Sequence, residues 1–167
     1  GHFVTATATN SAGNTSEFAA NVLATLPNLA PALDLDANNS SGATGNDFRT
    51  TFTENLGPVL IVDSDGTLTD PDSITLSSAT IRITNIMNLA TEILSANTSG
   101  TAITSTYNIG IGTLTLTLTG TDTVANYQQV LRSVTYDNML QDPNTTARVI
   151  TFVASDVTNA SNIGTTT

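Results

Sequence analysis

The fold class that the sequence predicts is an all-β sandwich, and three observations carry that reading. Threonine is the commonest residue, with 33 copies among 167, and β-branched side chains favour the pleated strand. These threonines alternate with apolar residues in runs such as FVTATATN and GTLTLTLTG. A period of two places polar groups on one face of a strand and apolar groups on the other. Strand-like segments recur roughly every 10–15 residues with turn signals between them, the spacing of a sandwich.

Composition narrows the function classes. At 167 residues the chain suits one domain with an appendage. It carries 14 acids against four bases, for a net charge of −10. The bases are Arg49, Arg82, Arg132 and Arg148, with no lysine. Nucleic acid and anionic lipid need a basic footprint that this chain lacks, so cations are its natural partners. Without cysteine it has neither a disulfide framework nor a thiolate metal site. No apolar run reaches 18 residues, so no helical membrane insertion is expected. The opening residues start in mid-pattern without a signal peptide and read as a piece of something longer.

Taken in order, residues 1–27 stand apart. HFVTATATN reads as a strand, SAGNTSE as turn chemistry and FAANVLATLP as a lead-out. Residues 1–27 are therefore expected to form an extension strand and linker, and residues 28–167 the sandwich, opening at PNLAPALDLD. ANNSSGATGND is too rich in Asn, Ser and Gly for regular structure. Strands are predicted at FRTTFTE, GPVLIVD, ITLSSATIRITNI, TEILSAN, AITSTYNI, GTLTLTLTG, SVTYDN and RVITFVASD. TDTVANYQQVLRSV breaks the rule. Val124, Tyr127, Val130 and Leu131 follow helical spacing, with Asp122 or Thr123 as the cap of one short helical turn.

Eight of the 14 acids lie between residues 34 and 72: Asp34, Asp36, Asp47, Glu54, Asp63, Asp65, Asp70 and Asp72. Strand ends of a sandwich converge, so loops remote in sequence meet at one pole. Calcium takes six to eight oxygens from carboxylates, carbonyls, amides and water. Asp34, Asp36, Asn38 and Ser40 offer oxygens at alternate positions, and Asp63 and Asp65 repeat the pattern. Neither stretch is an EF-hand, since glycine at the sixth position and glutamate at the twelfth are missing. The competing reading is that these aspartates only make turns. Clustered acids with no neutralising lysine favour calcium over it.

APALDLD, TFTEN, VDSDGTLTDPDS, YQQVLRSVTYDN and RVITFVASDVTNASN together resemble a bacterial cadherin-like domain over residues 28–167. The resemblance implies a Greek-key, cadherin-like β-sandwich in a secreted or surface protein. It also implies calcium shared by Glu54 with Asn55, Asp63, Asp65, Asp70, Asp72 and the strand-end Asp156. The chain is longer than an animal cadherin domain and carries the ANNSSGATGND insertion. VTATATNSAGNTSEF is similar to the closing strand of repeated β-domains in bacterial surface proteins. An orphan alternating strand is a template for pairing with another sheet. Head-to-tail self-assembly by donation of that strand is one expectation, and a strand folded back on its own sheet the other.

Catalysis has little to stand on. The lone histidine, His2, sits at the end of the chain, and there is no Cys nucleophile or Lys base. A carboxylate pair for glycoside hydrolysis stays open from sequence alone, since it needs only two suitably spaced acids. Several Asn-x-Ser/Thr sites, at Asn14, Asn39, Asn97, Asn144 and Asn159, match what chance gives in so Asn- and Thr-rich a chain. The expectation is an extracellular, non-enzymatic module that binds Ca2+ and serves structure or adhesion, its partners further copies or neighbouring domains of the same protein. The competing function is a carbohydrate-binding module with a polysaccharide partner, which needs two or more of Tyr107, Tyr127, Tyr136 and Phe48 exposed on one flat face.

Overall fold

The computed structural model describes residues 2–16, 22–24 and 26–167. It is an all-β sandwich. The strands in chain order are β1 (His2–Val4), β2 (Val22–Ala24), β3 (Ala32–Asp34), β4 (Val59–Leu60), β5 (Thr67–Thr69), β6 (Thr75–Ile83), β7 (Glu92–Ser95), β8 (Thr104–Gly110), β9 (Thr113–Thr123), β10 (Thr135–Asn138), β11 (Ile150–Ser155) and β12 (Gly164–Thr166). One helix, α1 (Val124–Arg132), links β9 to β10.

The principal sheet has five antiparallel strands in the order β12-β11-β6-β9-β8. Its spine is the GTLTLTLTG segment, whose Leu114, Leu116 and Leu118 are buried while the intervening threonines stay partly exposed. Each such leucine contributes about 1.5–3 kcal/mol by leaving water. Ile81 and Ile83 of β6 and Ile150 and Phe152 of β11 are likewise buried, as their alternation requires. Three strands, β4-β10-β7, form the second sheet, bringing Leu94 and Tyr136 to the core. β3 and β5 pair separately, and β1 pairs only with β2 among the described residues.

α1 forms where the pattern changes from two to 3.6. The Thr123 hydroxyl accepts from the Asn126 amide at 3.1 Å, and Tyr127, Val130 and Leu131 are buried. The Tyr127 hydroxyl donates to the Gly120 carbonyl at 2.6 Å. Gly120 has φ +134°, and a Cβ there would lie 2.4 Å from the Ala102 carbonyl oxygen, so only glycine fits.

Three predicted strands come out shorter or different. HFVTATATN yields only the three-residue β1. GPVLIVD yields the two-residue β4, and FRTTFTE yields no regular strand. Phe48 and Thr50 instead run parallel to β12: the Phe48 amide donates to Thr165, the Thr167 amide to Phe48 and the Thr50 amide to Thr167. β3 and β5 are not predicted from the sequence, because three residues are too few to display alternation. The loop after β10 is fastened by a buried ion pair, Arg148 Nη2 to Glu92 Oε1 at 2.9 Å. Glu92 also accepts from the amides of Met87 and Asn88.

Candidate metal centre

The Asp-x-Asp spelling has a local consequence before any tertiary one. In each pair the first carboxylate accepts the backbone N–H of the second residue: Asp34 from Asp36 at 3.0 Å, Asp63 from Asp65 at 3.2 Å and Asp70 from Asp72 at 3.2 Å. This is an Asx turn, which short acidic side chains make with their own backbone. The first aspartate thus spends an oxygen shaping the turn.

Tertiary pairing then lays two of these turns together. The Asp63 amide donates to the Leu35 carbonyl at 2.9 Å, and the Asn38 amide donates to Asp65 Oδ2 at 3.2 Å. One oxygen each from Asp36, Asp63 and Asp65 lies within 4.8 Å of the others. Asp36 is fully buried, and Asp63 and Asp65 are partly buried. The Ser40 hydroxyl bridges two of them, 3.4 Å from Asp36 Oδ1 and 3.3 Å from Asp63 Oδ2. Gly66 closes the second turn against the first, since a Cβ there would lie 2.8 Å from Val62 Cγ1 and 3.1 Å from the Leu35 carbonyl oxygen.

The electrostatics are one-sided. Glu92–Arg148 is the only ion pair among the described residues, so no cation offsets the three carboxylates. Arg132 comes near but directs its Nε to the Gly66 carbonyl at 2.7 Å. Two unit charges about 4.8 Å apart repel by roughly 3.5 kcal/mol at an effective dielectric of about 20. Burial pushes Asp36 towards its neutral form, but hydrogen bonds from Ser41 and Ser40 outweigh it and hold the carboxyl below its ordinary range. For Asp63 the Asp65 amide is the largest cause of a lowered value, against burial and the Asp36 charge. Both side chains are thus ionised at neutral pH. Asp65 Oδ1 is buried and accepts no hydrogen bond.

These residues fit a divalent cation. Oxygens about 2.3–2.6 Å from one calcium ion are at most about 5 Å apart, a limit that the 4.8 Å grouping meets. The donors are hard carboxylate oxygens with a hydroxyl beside them, and the orphaned Asp65 Oδ1 has a lone pair that no protein donor claims.

The other expected ligands lie outside this group of three. Asp34 supports the Asp36 turn from the end of β3. The Asn38 side-chain oxygen accepts from the Ser40 amide at 2.7 Å. Glu54 bonds the Asn55 side chain and the Asp142 amide, beside a cleft of about 660 Å³ between residues 50–54 and 142–148. Asp72 Oδ2 accepts the Leu29 amide, and Asp156 accepts from the Thr158 and Asn159 amides and from Asn28 Nδ2. Asp70 Oδ2 is buried without a donor, like Asp65 Oδ1. Sequence reasoning missed Asn28 as an anchor, for which nothing local gives a signal. It also missed buried Glu92, whose inward place the alternation with Leu94 could have shown.

Compared with family models, curated proteins and solved structures, the chain matches none of them.

Proposed function

We propose that this chain is an extracellular, cadherin-like structural or adhesive module whose acidic loops bind calcium, and that it works in series with further copies or neighbouring domains. The observation that carries the reading is the convergence of Asp36, Asp63 and Asp65 without a basic partner, with Asp65 Oδ1 buried and unclaimed. The reading has no catalytic step. Calcium acts by linkage: an ion that binds only the folded state stabilises it by RT ln(1 + [L]/Kd), about 2.7 kcal/mol at a hundredfold excess. Extracellular modules bind calcium with Kd on the order of 10⁻⁴–10⁻³ M, so millimolar calcium clamps the two turns together.

The polysaccharide reading gains nothing from the aromatics. Tyr127, Tyr136 and Phe48 are buried and only Tyr107 is exposed, with its hydroxyl donating to the Glu92 carbonyl at 2.8 Å.

Thermal unfolding in chelator and in millimolar calcium tests the proposal. At the one- to tenfold excess over Kd that millimolar calcium supplies, the melting temperature is expected to rise by roughly 1–6 °C, and with matched sodium or magnesium much less. Joint Asp63→Asn and Asp65→Asn substitution is expected to erase most of that gain. Equal melting temperatures with and without calcium would end the calcium reading.

A further inference from the structure

β8 is an edge strand of the five-stranded sheet. All seven of its residues are exposed. The two-residue connection Ile111–Gly112 closes the β8–β9 hairpin on the pair Gly110 and Thr113, which makes that pair and every second pair beyond it hydrogen-bonded. Ser105, Tyr107 and Ile109 therefore aim their backbone N–H and C=O groups away from β9, and no backbone partner meets them there among the described residues. The same three side chains sit opposite Leu118, Leu116 and Leu114, on the apolar face of the sheet. Tyr107 and Ile109 are nonetheless 43% and 45% exposed. Beneath them a groove of about 440 Å³ runs between β7 and β8, with Ile93, Leu94, Tyr107, Ile109 and Leu116 in its wall.

Proteins protect such edges with lysine, proline or inward-pointing charge. Here there is none of these: no Asp, Glu, Lys, Arg or Pro occurs from residue 93 to residue 121. A second long uncharged segment is the N-terminal arm, which has no Asp, Glu, Lys or Arg from residue 2 to residue 16. Among the described residues its strand β1 pairs with β2 alone, and Phe3 and Val4 are 67% and 59% exposed. A two-stranded hairpin is at best marginally stable in water, so it gains from a third strand. In a chain of net charge −10, two copies repel everywhere except where both surfaces are neutral.

We infer that β1 of one copy adds to the free edge of β8 in a second copy, so that the arm extends the five-stranded sheet and Val4, Ala6 and Ala8 continue its apolar face over the β7–β8 groove. The arm as a hairpin does not reach its own β8. Asn28 is tied to Asp156 and Asn159 beyond the end of β11. A β1 strand added to the free edge of β8 would lie four strand spacings from β11, about 19 Å, with β2 one spacing farther at about 24 Å. Ala24, where β2 ends, is four residues from Asn28, a span of at most about 14 Å. Donor and acceptor are different surfaces, so the contact is heterologous and propagates into a filament or closes as a ring. This inference supplies the acceptor for the serial assembly proposed above and does not depend on calcium.

Absence of cysteine makes the test clean. Full-length Ala6→Cys and Ile109→Cys proteins, carrying different tags, are mixed and treated with a short bismaleimide, with Arg82→Cys on the outer face of β6 as the control acceptor. Mixed dimers are expected with Ile109→Cys and at least tenfold fewer with Arg82→Cys. Sedimentation of the unmodified chain is expected to show species larger than the 17.2 kDa monomer, and Ile109→Lys to leave monomer with an unchanged β circular-dichroism spectrum. Equal cross-linking to both acceptors, oligomers that survive Ile109→Lys, or a wholly monomeric parent would each overturn the inference. So would efficient closure within one chain of the Ala6→Cys, Ile109→Cys double variant. Calcium response is read separately as melting temperature on monomeric Ile109→Lys, so either proposal can fail alone.

Discussion

Asp63 and Asp65 on one side, and Asp70 and Asp72 on the other, are spelled alike and lie seven residues apart. Both pairs make the same Asx turn. Their surroundings then diverge. Each pair keeps one buried oxygen without a donor, on Asp65 and on Asp70, but the first pair meets Asp36, so its charges face more negative charge. The second meets the segment at Asn28 and Leu29, whose amide satisfies Asp72 while the Asn28 side chain satisfies Asp156. An aspartate that meets only N–H donors acts as a structural acceptor, whereas one that also faces other carboxylates offers oxygens suited to a cation. The spelling does not distinguish the two outcomes; the partner does.

The largest expected effect probes the structural side. Asp156→Ala strips the acceptor from two backbone amides and from Asn28, and hydrogen bonds to charged groups are the costly ones to lose. The melting temperature is expected to fall by roughly 10 °C, equally in calcium and in chelator. A fall seen only in calcium would make Asp156 a ligand and erase the contrast.

Isosteric amides sharpen it further. Asp65→Asn removes charge from the carboxylate cluster and is expected to weaken calcium binding about tenfold or more by isothermal titration. Asp72→Asn keeps an oxygen able to accept the Leu29 amide, so its calcium affinity and melting temperature are expected to stay near those of the parent. A matching loss at Asp72 would place both pairs around the metal.

The smallest effect is in pH. Asp36, Asp63 and Asp156 all have folded-state values below the ordinary aspartate value. The folded state thus binds fewer protons than the unfolded one in that range, and the stability involved is fully present above about pH 4. It is lost as pH falls through the folded-state values. Melting temperatures of the chelated protein are expected to be flat from pH 7 to 5 and to decline below about pH 4. Protons compete for the same oxygens, so the calcium gain should shrink over that acid range. A gain undiminished at pH 3 would argue for carbonyl ligands in place of carboxylates.

Much of the sandwich could be read directly. The long alternating runs became β6, β8, β9 and β11, and the shift in period at Val124 became α1 with Thr123 as its cap. Local physics decides these, because alternation and capping involve neighbours within four residues. Phe48–Thr50 could not be read, since its parallel pairing depends on where β12 lies more than a hundred residues later. Of the acids singled out beforehand, Asp36, Asp63 and Asp65 converge, whereas Glu54 lies by the loop at Asp142.

By itself the sequence determined the all-β class, the helical interruption, the excess of negative charge and the Asx turns at each Asp-x-Asp, all consequences of side-chain chemistry acting on adjacent backbone. Only the tertiary structure decided which turns face one another, which carboxylates receive donors and which sheet edge is left bare. Those outcomes depend on contacts between segments remote in the chain, and a single local pattern is compatible with several of them.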